Sequence, residues 1–504
     1  MYQFVPPGVS GRGRATGNRR LLASFALLGA TAIFVGSGSL SAMAASTITA
    51  TSTGTVLTAL PGIPTGAGSS TQGVAADGTN LYVSDSAHDL IDVFSLGGVA
   101  GTPITLASGT FPTDLALSPD GSTLYATGDF TSTVERIDLA TSTDTSFPVA
   151  MNPHGVVVSA DGSIFYVIGN SDAQVHSYNA STGAALNTSV TNGLYATPNQ
   201  IALSPDGTKV YVTYRDPIPA NPSGGLRILN ASDLSETTHV DLPNALGVAV
   251  ESTGDVVVGT GNGAAAQLVE LSAAGVPTNR SVTVGQSDDK LLVSPDGSTV
   301  YVADSTSGNL YVLDTATFTT PASPGTVDQG RALAVTPDGL HVYAAGGGTS
   351  VLPFAVAKLT LTAPATVTPG TGPTAFNALI TDGQSPVGDY SGGSVLVEIL
   401  DSANAVVASG TGAPGAATGT ASVPINLSTL PIGSYSVRAT LVSGGGTVQV
   451  LASGFTVAAA APALAATGVD AAGPLIVTLV VLFAGVALLI VGRRRSRRGY
   501  EAVR

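Results

Sequence analysis

Ala116-Leu-Ser-Pro-Asp120-Gly-Ser-Thr-Leu-Tyr-Ala126 is two short apolar runs joined by a Pro-Asp-Gly turn, and the chain says it again and again. The phrase also reads Gly73-Val-Ala-Ala-Asp77-Gly-Thr-Asn-Leu-Tyr-Val83, and it returns around Asp161, Asp206, Thr253, Asp296 and Asp338, at spacings of 43, 41, 45, 47, 43 and 42 residues. Each unit continues with a polar loop, a third run such as Ile91-Asp-Val-Phe94 or Leu310-Tyr-Val-Leu313, and an outer fourth strand. Four short strands at such a period predict propeller blades, because a four-stranded blade buries its faces only against its neighbours. Seven copies predict seven blades. The run Thr55-Val-Leu-Thr-Ala-Leu60 precedes the first copy and nothing comparable closes the last, so this N-terminal strand is expected to complete the seventh blade.

The rest of the composition agrees with a β protein. Of 504 residues only 10% are charged, and Glu and Lys, which favour helices, number six and three. The absence of Cys removes disulfide frameworks, thiolate metal sites and cysteine nucleophiles together.

The phrases Leu81-Tyr-Val-Ser-Asp85, Ser-Pro-Asp-Gly (118–121, 204–207, 294–297) and Val300-Tyr-Val-Ala-Asp304 resemble the YVTN family of β-propellers, relatives of the lactonase-type seven-bladed propellers. The resemblance covers about residues 53–357 and speaks to fold more than to function. The recurring Asp reads as a turn residue: Pro presets φ, Gly takes φ > 0, and the fifth copy, Glu251-Ser-Thr-Gly-Asp255, does without the Pro and the aligned Asp. No metal site is expected there, and no cofactor is expected anywhere.

Beyond Lys358 the repeat stops, and alternating strands such as Ser394-Val-Leu-Val-Glu-Ile399 appear. Leu430-Pro-Ile-Gly-Ser-Tyr435-Ser-Val-Arg-Ala-Thr440 resembles the penultimate strand of bacterial Ig-like domains, with Tyr435 and Val437 on one side and Ser436 and Arg438 on the other. The expected fold class is all-β: a seven-bladed β-propeller (45–357) followed by an Ig-like β-sandwich (358–457).

Both ends read as addresses. Arg12, Arg14, Arg19 and Arg20 precede an apolar run and Ala42-Met-Ala44, which predicts a signal peptide over 1–44 cut between Ala44 and Ala45, by the general or the twin-arginine route. At the other end stand a linker (458–474), an apolar span (475–492) expected to cross the membrane as a helix before sorting, and a basic cytoplasmic tail (493–504). Within the linker, Leu464-Ala-Ala-Thr-Gly468 resembles the LAxTG variant of the sortase signal of Gram-positive, especially actinobacterial, cell walls. That resemblance implies cleavage between Thr467 and Gly468, sortase as a partner, and attachment of Thr467 to peptidoglycan. The location implied is the cell surface. Without residues 1–44 and 468–504, nine basic side chains face thirty-one acidic ones, and such a surface repels nucleic acid.

Chemistry is expected at one mouth of the channel. The positions seven and six before each aligned turn residue are Ser70/Thr71, Thr113/Asp114, His154/Gly155, Asn199/Gln200, Leu246/Gly247, Asp289/Lys290 and Arg331/Ala332. His154, Arg331, Asp114 and Asp289 are the catalytic candidates, and Gln200, Lys290, His88 and Arg215 the ligand-binding ones. His88 and Arg215 lie in loops expected on the same face. The simplest reading has these polar groups lining a wet channel and pairing with one another. HExxH and P-loop motifs are absent, and the lack of Trp leaves sugar stacking to Tyr and Phe. A binding or adhesion head on an Ig-like stalk, recognising an unknown extracellular ligand or protein, is the preferred function. The alternative, implied by the family resemblance, is an exported lactone hydrolase in which Arg331 holds the oxyanion and His154 moves the proton.

Overall fold

The computed structural model describes residues 47–459 apart from 52–55, 150–151, 190–196, 216–223, 262–264, 321–324, 327–328, 369–371, 385–389, 391, 417 and 444–445. All described residues belong to one unit, Ala45–Arg504, while Met1–Ala44 forms the other. The expected signal cleavage at Ala44 and Ala45, the sorting motif with Thr467 and Gly468, the apolar span and the basic tail therefore lie outside the described residues. Every described regular element is a β-strand, and no helix among these residues is long and apolar enough to cross a membrane.

The repeats fold as successive antiparallel sheets. Blade 1 comprises Thr71–Ala76, Asn80–Asp85, Leu90–Ser95 and Ile104–Thr105. Blades 2 to 6 follow the same order and open with Pro112–Leu117, Pro153–Val158, Thr197–Leu203, Ala245–Val250 and Asp288–Val293. The last sheet takes Ala332–Val335, His341–Ala345 and the first half of the long strand Ser350–Pro364, and Val56–Ala59 pairs onto that strand, Val56 against Ala357. The N-terminal segment thus completes blade 7, and the ring is a β-propeller latched by its own beginning.

Packing between neighbours is what holds the ring. Apolar cores lie between each successive pair of blades, from Ile91 and Leu124 between blades 1 and 2 to Leu57, Leu310 and Phe354 between blades 6 and 7. Another core joins blade 7 to blade 1 through Tyr343, Val351, Leu81 and Val83. The Tyr of the repeated phrase adds a clasp to its neighbour: the hydroxyls of Tyr125, Tyr166 and Tyr211 donate to the carbonyls of Ala180, Ala231 and Ala273 at 3.1, 3.0 and 3.0 Å. Tyr343 closes the circle by donating to Leu96 O at 2.9 Å. Inner strands approach so closely that a Cβ on Gly73 would stand 2.0 Å from Thr113 O, which only glycine permits.

In the Pro-Asp-Gly turns the Asp carboxylate accepts the turn's own donors. Asp120 takes Ser118 Oγ–H at 2.6 Å and Ser122 N–H at 3.1 Å, and Gly121 adopts φ +69°. The Ser118 hydroxyl bond is the main reason the Asp120 carboxyl sits near 2, and the same pattern recurs at Asp161 and Asp206.

Ser350–Pro364 runs on past blade 7 into a further pair of sheets. There it pairs with Thr374–Thr381 and with Thr47–Thr51, a segment that the repeat arithmetic counts with the propeller. A second sheet, built on Ser394–Leu400, Gly433–Ser443 and Gly446–Val457, faces the first across one core centred on Phe376, Val397, Val437 and Phe455. Val437 points into that core, and on the opposite side Arg438 pairs with Glu398 at 2.7 Å.

Candidate functional site

A bulge in the innermost strand builds the site. The inner strands of blades 1 to 6 each break register near their start, between Thr71 and Val74, Pro112 and Leu115, Pro153 and Gly155, Pro198 and Ile201, Ala245 and Val248, and Asp288 and Lys290. A bulge re-aims side chains. It falls on the positions that the repeat alignment singles out, and five blades contribute those positions to one cavity of about 600 Å³ lined by Asp114, His154, Gln200, Asp289, Lys290 and Arg331.

Several of these groups are committed to structure. Gln200, buried, accepts Val248 N–H and Leu291 N–H on Oε1, both at 3.0 Å, and donates Nε2 to Leu291 O at 2.7 Å, tying blades 4, 5 and 6 together. Its carbonyl oxygen is fully used, and one of its two N–H donors is spent on the fold. Asn199 similarly donates to Leu246 O and Asp289 O at 3.0 and 3.1 Å. Asp114 accepts Val156 N–H at 3.1 Å and pairs across the lumen with Lys290 at 3.3 Å. Asp289 accepts the Ser305 hydroxyl.

Two groups are left for other work. Arg331 reaches only neutral amides, Gln72 Oε1 at 3.3 Å and Gln329 Oε1 at 3.1 Å, and pairs with no carboxylate among the described residues. The His154 imidazole has no hydrogen-bond partner among them. It keeps contact with the lumen, yet the channel walls enclose it, and this loss of hydration holds its pKa below the ordinary range; Lys290 and Arg331 push the same way, against Asp114 and Asp129. At neutral pH His154 is therefore an uncharged acceptor or donor that lines the same cavity as a guanidinium with no carboxylate partner among the described residues.

His88 and Arg215 do not join them. His88 Nδ1 stands 2.7 Å from the carboxylate of Asp85, whose bond raises the imidazole pKa, and neither His88 nor Arg215, exposed at the end of Lys209–Arg215, lines the cavity. Most of the proline-rich insertion after Arg215 lies outside the described residues. His176 and His239 make bonds within their own blades, to Asp172 and Gly224 O, and His341 bonds Gln384, 43 residues on. The repeat alignment misses Phe111, Phe130 and Asp129, which also line the cavity. Their signal was aromatic residues in rim loops, at Phe111-Pro112 and Asp129-Phe130.

Residues 37–146 match the family model described as lactonase, 7-bladed beta-propeller. No curated protein matches the chain. Among solved structures, Kuenenia stuttgartiensis hydrazine synthase aligns at 15% identity with a TM-score of 0.49, covering 57% of this chain and 95% of that one.

Proposed function

We propose that this is an exported surface protein whose propeller binds a small organic anion at the channel mouth. The observation that carries the reading is Arg331, an exposed guanidinium lining the cavity whose side-chain hydrogen bonds among the described residues go only to the neutral amides of Gln72 and Gln329. A strongly acidic protein keeps few cations, and one without a carboxylate partner is suited to grip a carboxylate in bidentate fashion. In this reading the seven-bladed head stands on an Ig-like stalk, and sortase joins Thr467 to peptidoglycan. A titration of small carboxylates tests the binding claim: the wild type binds in the micromolar to millimolar range, and Arg331→Ala loses it. Equal binding by both proteins would end the proposal.

The lactonase family match and the neutral His154 favour a second reading, lactone hydrolysis at the same place. His154 would take a proton from the water that attacks the lactone carbonyl, Arg331 would stabilise the developing oxyanion, and collapse of the adduct would break the ring C–O bond, the released alkoxide taking the proton back from His154. Turnover of sugar or acyl lactones that vanishes in His154→Ala would establish it. Turnover unaffected by that change would dismiss it.

A further inference from the structure

Nine residues before the aligned turn residue, the loop entering the inner strand takes a left-handed backbone in five blades: Gly68, Phe111, Asn152, Asn244 and Gln329, with φ of +83°, +48°, +52°, +56° and +53°. Gly and Asn suit that conformation, Gly for want of a Cβ and Asn for its short polar side chain. Blade 2 places a phenylalanine there, where a bulky residue is a genuine outlier. The strain is held by Asp89, whose carboxylate accepts Gly109 N–H and Phe111 N–H, both at 2.8 Å. What the strain achieves is display. Phe111 is 41% exposed and meets Phe130, 71% exposed, edge to face at 5.5 Å between ring centroids, and both rings line the cavity that holds Arg331.

Resting on the small-anion reading above, we propose that the ligand is an aromatic carboxylate, its ring packed on Phe111 and Phe130 and its carboxylate on Arg331. An exposed aromatic pair offers a ring-shaped apolar partner the burial it lacks in water, and aromatic pairs favour each other beyond simple area. Phe111 and Phe130 are thus specificity residues, and Asp89 is a positioning residue for Phe111.

Ligand-observed NMR titration of the full chain in detergent micelles, with benzoate, phenylacetate, acetate and glucuronate, tests the proposal. Benzoate or phenylacetate is expected to bind at least tenfold more tightly than acetate or glucuronate. Phe130→Ala and Phe111→Asn are expected to weaken the aromatic acids about fivefold to tenfold and leave acetate unchanged. Phe111→Asn also restores the residue used in blades 3 and 5, so its Tm holds or rises while affinity falls, which separates recognition from folding. Equal affinity for acetate and benzoate, or aromatic affinity untouched by both substitutions, overturns the inference and leaves the anion reading standing. Preference for glucuronate overturns it in favour of a sugar platform. If none of the four acids binds the wild type, the anion reading falls and the inference falls with it.

Discussion

Replacing Asp288 by Asn should stabilise the protein at neutral pH and leave it unchanged in acid. Asp288 opens the inner strand of blade 6, is fully buried, and has no hydrogen bond to either carboxylate oxygen among the described residues. It pairs in register with Asp304, also fully buried, whose own carboxylate accepts Thr306 N–H and Ser307 N–H at 2.8 Å. Burial, then the charges of Asp304 and Asp289, push the Asp288 pKa up to about 8. The folded state therefore holds a proton that the unfolded chain releases near the ordinary value of 3.8. Stability from this group is fully present below about pH 4, falls by about 1.4 kcal/mol per pH unit, and is lost once pH passes about 8. By pH 7 the loss is roughly 4 kcal/mol, and Asn, a neutral isostere whose unpaired amide replaces a protonated carboxyl that is unpaired too, would recover most of it. Thermal unfolding of both proteins from pH 4 to 8.5 reads this out: a gain of roughly 4 kcal/mol corresponds to a Tm rise of several degrees at pH 7, shrinking to nothing near pH 4. A Tm difference that is constant with pH, or a less stable variant at pH 8, would refute the reasoning.

Gln200→Ala should cost about 3 kcal/mol, because it strands Val248 N–H, Leu291 N–H and Leu291 O between blades, and a lowered Tm with ligand affinity preserved is the expected pattern. Unchanged Tm with lost affinity would mean that Gln200 serves the ligand instead. Thr467→Ala should move the protein from the cell-wall fraction to the membrane fraction of the producing cell, as immunoblots of the two fractions would show. Persistence in the wall would remove the sorting proposal.

The fold was legible because it is periodic. Asp-Gly turns at a regular spacing dictate the blades, and a leftover strand at Val56–Ala59 has only the unfinished seventh blade to complete. The site was legible in outline for the same reason: the repeat places Asp114, His154, Asp289, Lys290 and Arg331 at equivalent positions of their blades, bulged in all but Arg331's. Which of them are spent was not legible. Gln200 looks like a ligand-binding amide in sequence, yet its partners sit 48 and 91 residues away in other blades. His88 reads as a rim residue until Asp85, three positions earlier, is found to hold it. The loop that presents Phe111 depends on Asp89, 22 residues back, a contact that no local pattern encodes.

The central claim is that His154 and Arg331 share an anion-binding cavity, and the direct measurement is a pH titration of the His154 ring by NMR, assigned by His154→Gln among only five histidines. The account predicts a pKa below the ordinary 6.5, with His88 titrating above it, and a rise at His154 alone when a bound carboxylate brings negative charge beside it. A His154 that titrates at or above 6.5 and ignores every carboxylate would contradict it.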